Sequence, residues 1–192
     1  MKKRALTLLL AAVVLLALVA LYRYGRGLWY PVYLKVKGKR TVAEAVERYA
    51  PGAIARLKPY FEQASIAFLP QEITLLAMKE ERQLELWARD AASAFTFIRS
   101  YPIRAASGDL GPKLREGDRQ VPEGMYRIVA LNPNSRYHLS MKLNYPNAFD
   151  LHHAEREGRT APGSDIFIHG KAVSIGCLAM GDPAIEELFV LV

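Results

Sequence analysis

The sequence has a single cysteine among its 192 residues, and this scarcity excludes several kinds of site. One cysteine cannot form a disulfide within the chain, and it leaves no Cys-x-x-Cys pair for zinc. Histidine is also scarce, with four in total and no His-x-x-x-His spacing. We therefore expect no metal centre and no cofactor, and cysteine usage does not indicate the cellular compartment.

The main part of the chain also lacks a basic excess. Residues 1–40 hold nine Lys or Arg and no acid, whereas residues 41–192 hold 17 basic and 19 acidic residues. The net charge of +7 therefore belongs to the N-terminal segment. A nucleic-acid-binding surface needs a basic patch, and the nearly neutral remainder does not supply one. We expect no nucleic-acid partner.

An uninterrupted apolar run, Ala5 to Tyr22, follows three basic residues at the N-terminus. At ~1.5 Å per residue, a helix of this length just crosses a bilayer core. The preceding charges favour a cytoplasmic amino end, which places the rest of the chain outside the cytoplasm. We predict a single-pass membrane anchor over residues 1–26, with the following domain outside the cytoplasm. A cleaved signal peptide is the alternative, for which Ala20 is suitable and Leu18 is not.

Residues 27–69 are predicted to form a juxtamembrane linker and short helices. The linker is typical of an interfacial belt beside anionic headgroups, with an extended solvated segment as the alternative. Its aromatic residues, interleaved with basic ones, are Trp29, Tyr30 and Tyr33.

Further along, Thr41 and Glu44 have the spacing of a capping box, which predicts the start of a helix. Pro51-Gly52 then divides the helical pattern into two pieces, the second running from Ala53 to Ala64. We expect this helical pair to pack beside the main domain or to space it from the membrane.

From residue 70 onward, short alternating segments separated by turn residues predict strands. Ile73–Lys79 and Leu84–Ala88 flank a charged turn and predict a hairpin. A helix is predicted only near the end, capped by Asp182. The fold class is therefore α+β, mainly β, with an antiparallel sandwich-like domain over residues 70–192. The other predicted strands are Phe95–Ile103, Met125–Asn132 and Arg136–Leu143.

The chain ends on four apolar residues, Phe189–Val192. We expect either a C-terminal truncation or a further segment that packs there.

The stretch Asp165–Met180 combines the only cysteine, Cys177, with a histidine eight residues before it, His169. Alternation before His169 predicts a strand that ends on the imidazole. Gly170 and Gly176 bracket a turn that could return the thiol toward the ring. A base within hydrogen-bond reach of a thiol prepares it to attack an acyl carbon. The alternative is a buried structural cysteine with a histidine satisfied by a backbone carbonyl.

The run His169-Gly170, then Ser174-Ile175-Gly176-Cys177 and Leu178-Ala179-Met180, resembles the active-site signature of the L,D-transpeptidase (YkuD-type) catalytic domain family. It is most similar to the YafK-like branch. The similarity extends upstream through Gly108–Ile128 and Leu131–Asp150, and it covers roughly residues 72 to 190. The resemblance implies an L,D-transpeptidase fold, with Cys177 as nucleophile and His169 as general base.

The resemblance also implies a function: acyl transfer on peptidoglycan stem peptides, which cross-links the wall or attaches a lipoprotein to it. One alternative is an L,D-amidase that releases a lipoprotein or a stem residue, and another is a non-catalytic wall-binding module. The sequence departs from the common pattern at Ile175, where many members have a second histidine. Leu178-Ala179 replaces an apolar residue followed by arginine, which removes a partner for a substrate carboxylate.

Residues of the loop itself have predicted supporting roles. The amides of Gly176 and Cys177 are the candidate oxyanion donors, and Ser174 is expected to shape the turn. A third group should orient His169, and three remain open: a backbone carbonyl of the turn, Ser174 Oγ, or Asp150.

Two pairs of residues are predicted to face substrate, namely Asn144 with Tyr145, in a turn-prone segment, and His152 with His153. A structural turn is the alternative for the first pair. By resemblance, the second pair borders the cleft. It is a poor metal chelate, because the side chains of neighbouring residues on a strand point in opposite directions.

Tyr137-His138 is predicted to lie on a strand as a surface or cross-strand pair. A solvated loop is favoured over a peptide-carboxylate clamp for Lys113, Arg115, Asp118 and Arg119.

Overall fold

The computed structural model describes residues 2–91 and 94–192, and the chain divides after Lys39 into two compact units. The first unit contains helix α1 (Lys2–Tyr24) and helix α2 (Arg26–Lys37). Within α1, Leu6–Tyr24 is long and apolar enough to cross a membrane, as the sequence predicts. A signal sequence has the same properties, so the choice between anchor and cleaved signal remains a prediction.

Helix α2 carries the aromatic residues of the predicted linker, which is therefore helical and not extended. The rings of Tyr30 and Tyr33 stack with centroids 5.9 Å apart, and the Arg26 guanidinium lies 4.5 Å from the centre of the Tyr30 ring. Trp29 makes edge contacts with both tyrosine rings. An aromatic and basic cluster of this kind is typical of a membrane interface, which remains a prediction.

The second unit begins with one continuous helix, α3 (Val42–Gln63), where the sequence predicts two short ones. The capping box of Thr41 and Glu44 is present as predicted. Pro51 and Pro59 both lie inside the helix, each at a cost of about 3 kcal/mol. Fully burying a large apolar side chain contributes about 1.5–3 kcal/mol, so the buried stripe offsets much of that cost. The buried residues of that stripe are Ala45, Ala53, Leu57 and Phe61.

Three antiparallel strands follow, in the order β1-β2-β3. The predicted hairpin is confirmed, with Glu72 opposite Arg89 and Met78 opposite Gln83. Alternate residues of the central strand are completely buried, which is the pattern of a sheet with one face on the core. The strands are β1 (Glu72–Met78), β2 (Gln83–Arg89) and β3 (Thr96–Pro102).

A second sheet of four strands has the order β4-β5-β6-β7. Its first two pairings are antiparallel, whereas β6 and β7 run parallel. Apolar residues from both sheets join one core, so the predicted α+β class with two mostly antiparallel sheets is confirmed. The strands are β4 (Ile128–Asn132), β5 (Ser140–Leu143), β6 (Phe167–His169) and β7 (Leu178–Ala179).

The prediction of a single late helix is wrong, because helix α4 (Ala148–Arg156) precedes β6. Asn147 caps α4, and its side chain and that of Asp150 complete a capping box. This Asn-x-x-Asp pattern was readable in the sequence. The last helix, α5 (Asp182–Leu191), has Gly181 as its N-cap, so Asp182 is the first helical residue and not the cap.

Helices α3 and α5 are joined by a buried carboxylate, Glu187, which is 2% exposed. Arg56 Nε donates to it at 2.6 Å, Arg99 at 2.9 Å and the Tyr101 hydroxyl at 3.0 Å. The carboxylate therefore ties together α3, β3 and α5, and α5 begins just after the residues of interest around Cys177.

The variant Glu187→Gln should lower the free energy of unfolding by about 2 to 3 kcal/mol, because it removes the carboxylate partner of Arg99 and leaves Arg56 with Glu186 alone. The control is Glu62→Gln, since Glu62 pairs with Lys58 at the surface and the loss of this pair should cost less than about 1 kcal/mol. Urea unfolding followed by near-ultraviolet circular dichroism measures both. Equal losses for the two variants would contradict this account.

Candidate active site

His169 is the last residue of β6, and its side chain is buried, with 2% exposed. Its Nδ1 lies 2.6 Å from the Gly170 carbonyl oxygen. A carbonyl only accepts hydrogen bonds, so Nδ1 carries the proton and the Nε2 of the neutral ring keeps a free lone pair. Of the three orienting groups left open by the sequence, the structure places a backbone carbonyl of the turn at the imidazole.

Gly170 has no space for a side chain. A Cβ there would lie 2.6 Å from the Tyr137 carbonyl oxygen and 2.8 Å from a carboxylate oxygen of Asp182. Asp182 accepts hydrogen bonds from the backbone and the ammonium of Lys171, which fixes the chain directly after Gly170. The sequence indicated Asp182 only as a helix cap, so this role was missed.

Tyr137 covers the imidazole, with ring centroids 4.6 Å apart and a tilt of 32° between the planes. The prediction of Tyr137-His138 on a strand is wrong, because both lie in the turn before β5. The Ser135 hydroxyl accepts from the Tyr137 amide, and His138 takes a positive φ of 80°. His138 Nε2 contacts Glu186 at 2.8 Å, which connects this turn to α5.

Cys177 directly precedes β7 and is partly exposed. In the parallel pairing of β6 with β7, His169 is the partner of Ala179. Cys177 lies one residue before β7, so this pairing brings the segment that carries the thiol next to β6. The Sγ atom of Cys177 lies 4.0 Å from the Asp165 carbonyl oxygen. The thiol and the imidazole thus lie on neighbouring segments of the chain.

Ser174 shapes the turn that presents Cys177. Its hydroxyl donates to the Cys177 carbonyl at 2.6 Å and accepts from the Cys177 amide at 3.1 Å and the Gly176 amide at 3.3 Å. The two amides that the sequence indicates as oxyanion donors are therefore engaged by the serine in this structure. Gly176 has φ +124°, a conformation that other residues rarely adopt.

Both candidate reacting groups are uncharged at neutral pH. Burial lowers the pKa of His169, and the hydrogen bond to Gly170 opposes this only in part. Burial raises the pKa of the Cys177 thiol, the Asp165 charge adds to the increase, and the Phe167 backbone and Lys113 charge oppose it. The pair rests as thiol and imidazole, so a proton must move when the sulfur attacks.

The residues predicted to face substrate have other partners. The side chain of Asn144 accepts from the Arg127 amide at 2.7 Å. Tyr145 is buried, and its hydroxyl donates to the Pro162 carbonyl at 2.8 Å. These contacts are those of the structural turn, the alternative left open by the sequence. Contact of Asn144 and Tyr145 with substrate stays a prediction.

His152 and His153 lie on helix α4 and not on a strand. The opposite orientation of neighbouring side chains on a strand is therefore no argument against a metal site here. The ring of His153 packs on Phe149 with centroids 4.4 Å apart, and its Nδ1 lies 3.9 Å from Glu157. Among residues 2–91 and 94–192, no three His, Cys, Asp or Glu side chains gather as a metal site. Neither histidine contacts Cys177 or His169 through any interaction that the structure records.

Lys113 is buried and pairs with the partly buried Asp118, so the prediction of a solvated loop is wrong for both. Lys113 is 7% exposed, and its ammonium lies 2.5 Å from one Asp118 carboxylate oxygen. The Gly163 backbone leaves room for this side chain, because a Cβ there would lie 2.6 Å from Lys113 Cε. Alternation of polar and apolar residues would have indicated that Lys113 is buried, but the sequence of this loop does not alternate.

Three findings relate the chain to known proteins. The profile of the YkuD family, described as the L,D-transpeptidase catalytic domain, matches residues 74–192. "Putative L,D-transpeptidase YafK" of Escherichia coli K12 is 34% identical over 143 residues, 73% of this chain and 55% of the relative. The same protein of strain O157:H7 gives the same values. The chain thus spans about half the length of these relatives.

Among solved structures, Bdellovibrio bacteriovorus Bd1075 gives a TM-score of 0.42 at 24% identity, over 64% of this chain and 44% of that one.

Alkylation of Cys177 by iodoacetamide should accelerate with pH beyond the ordinary thiol pKa of about 8.5, because burial raises the pKa of this thiol. At pH 7, His169→Ala should slow the reaction by about tenfold or more, since the base is lost. At high pH the two rates should converge, because hydroxide then ionises the thiol. Mass spectrometry measures the rate, and the only cysteine gives an unambiguous signal.

The control for that measurement is His152→Ala, on the exposed side of α4. It should leave the rate unchanged at every pH. A rate at pH 7 that is equally insensitive to His169→Ala would contradict the assignment of His169 as base.

Proposed function

The chain belongs to the L,D-transpeptidase (YkuD-type) catalytic domain family, and on that premise we propose that it is a cysteine-dependent acyltransferase acting on peptidoglycan stem peptides. The observation that carries the proposal is the 2.6 Å contact between His169 Nδ1 and the Gly170 carbonyl. It leaves Nε2 as the proposed proton acceptor, on a strand that pairs with the one that follows Cys177.

In the proposed reaction, His169 Nε2 takes the proton from the Cys177 thiol, and the sulfur attacks the carbonyl carbon of an L,D peptide bond. A C–S bond forms and the carbonyl oxygen becomes an oxyanion. The imidazolium then gives its proton to the departing amine as the C–N bond breaks, which leaves a thioester. An incoming amine or water attacks the thioester carbon and loses a proton to His169, so that a C–N or C–O bond forms. The C–S bond then breaks, and the imidazolium returns its proton to the sulfur.

The oxyanion would be stabilised by the amides of Gly176 and Cys177. Both amides donate to Ser174 Oγ at rest, so Ser174 must rotate away before they can serve the oxyanion. Such a rotation would also break the bond from Ser174 to the Cys177 carbonyl. Ser174 is thus proposed to hold the turn in its resting shape.

Transfer to an amine of another stem peptide or of a lipoprotein is the leading proposal, and transfer to water is the second. What favours the second is Ala179, at the position where many family members have arginine. Ala179 is fully buried and pairs with both His169 and Ala105, so its place admits no charged side chain. A substrate carboxylate therefore needs a cation elsewhere in the site. Without that arginine, the family pattern favours an amine acceptor over water less strongly.

The full chain in detergent, incubated with muropeptides, should give products that Cys177→Ser does not give. Mass spectrometry separates the outcomes, since cross-linked stems indicate an amine acceptor and shortened stems indicate water. Products that survive Cys177→Ser, or no product where a control transpeptidase is active, would contradict the proposal and favour a non-catalytic wall-binding module.

We further propose that α1 anchors the protein in the inner membrane with residues 40–192 in the periplasm. The support is the apolar stretch Leu6–Tyr24 and the basic residues that precede it. An anchored domain would act on the wall layer next to the membrane.

The full chain should remain in the membrane fraction after a wash at high salt, because apolar insertion is not screened by ions. A chain that begins at residue 40 should be in the soluble fraction. Immunoblotting of the fractions measures both, and release of the full-length chain by salt would contradict the anchor. Cleavage of the signal would instead give a soluble protein of smaller mass.

A further inference from the structure

Beside the Cys177 turn, two loops enclose a cleft of about 610 Å³. One wall is the loop that follows β3, and the other is the segment that follows α4. The residues that line it include Leu114, Arg115, Asp118, Gln120 and Arg159.

The first wall is held in place by the Asp118 carboxylate. Its oxygens accept from the amides of Leu114, Arg115 and Gln120, each at 3.0 Å, and from the Lys113 ammonium. Burial alone would raise the pKa of Asp118, but these hydrogen bonds outweigh it and hold the pKa well below its ordinary range. Asp118 is therefore ionised and already neutralised by Lys113, so it does not repel an anion in the cleft.

The second wall supplies a fixed guanidinium. Arg159 donates to the Leu114 carbonyl at 2.9 Å, which bridges the two walls, and its Nε donates to Glu157 at 2.7 Å. These contacts orient its planar group across the cleft. Part of its charge is balanced by Glu157, so Arg159 is mainly a rigid donor.

Arg115 contributes a charge that is not balanced. Its backbone takes part in the Asp118 and Lys113 contacts, but within the described part of the chain its guanidinium has no recorded hydrogen bond or ion pair. The side chain is exposed at the rim of the cleft. A guanidinium held at a rim by a fixed backbone is suited to bidentate binding of a carboxylate.

The cleft lies close to the loop of the candidate nucleophile. Gln120 lines the cleft, and the Gln120 carbonyl oxygen lies 3.5 Å from where a Cβ on Gly176 would be. Gly176 is the residue before Cys177, and the Lys113 charge is near enough to act on the thiol.

We propose that this cleft binds a free carboxylate of the acyl-donor peptide, with Arg115 as the group that recognises the charge and Arg159 as its fixed neighbour. The inference rests on the proposed function for the identity of the peptide. It also assigns a cation to replace the arginine that is absent at Ala179. Arg115 and Arg159 come from distant parts of the chain, and only the fold brings them together.

The test measures binding and not turnover. The full chain carrying Cys177→Ala, in detergent, is titrated calorimetrically with a free-acid stem tetrapeptide and with the same peptide whose carboxylates are amidated. The free acid should bind about tenfold tighter or more, as a charge-assisted hydrogen bond allows. Arg115→Gln should remove that preference and leave affinity for the amidated peptide unchanged. Arg48→Gln, an exposed arginine on α3, should have no effect.

The outcomes separate this inference from the proposed function. A preference for the free acid that survives Arg115→Gln, or no binding of the free acid, would overturn the cleft assignment whatever the enzyme does. Failure of the muropeptide assay would overturn the acyltransferase while a preference that depends on Arg115 could still be measured. Arg115→Lys should restore only part of the preference, because an ammonium cannot bind a carboxylate bidentately.

Discussion

The hydrogen bond between the His169 ring and the Gly170 carbonyl is the interaction on which the proposed chemistry depends. It fixes the tautomer, and therefore which nitrogen can take a proton. The bond requires that the chain turn sharply after β6, and only glycine fits, since a Cβ at residue 170 would meet the Tyr137 carbonyl. Because the carbonyl carries no charge, the imidazole is oriented without being made strongly basic, and burial keeps it neutral.

Contacts with the rest of the domain hold that turn in place. The ring of Tyr137 packs on the imidazole, and its neighbour His138 contacts Glu186 of α5. The adjacent Glu187 joins α5 to α3 and β3 through two arginines and a tyrosine. Helices remote from the thiol thus determine the position of the base. The buried stripe of α3 is part of the same core, which favours one continuous helix across its two prolines.

The sequence predicts those parts of the fold that have a local signal. The hairpin, the capping box at Thr41 and the strand that ends on His169 follow from alternation and capping chemistry over a few residues. Where long-range packing competes, prediction fails. Pro51 indicates a helix break, but burial of Leu57 and Phe61 favours one continuous helix. Likewise, Lys113 reads as solvated because nothing nearby in the sequence reveals the Asp118 pocket or the space beside Gly163.

The central claim is that His169 rests as the neutral Nδ1–H tautomer with Nε2 free for the thiol proton. Long-range ¹H–¹⁵N correlation spectra of the full chain in detergent test it directly, since the four histidines are few enough to assign by substitution. At pH 7 the account predicts a protonated Nδ1 and an unprotonated Nε2, with protonation of the ring only at pH below the ordinary histidine range. An imidazolium at pH 7, or a proton on Nε2 instead of Nδ1, would contradict it.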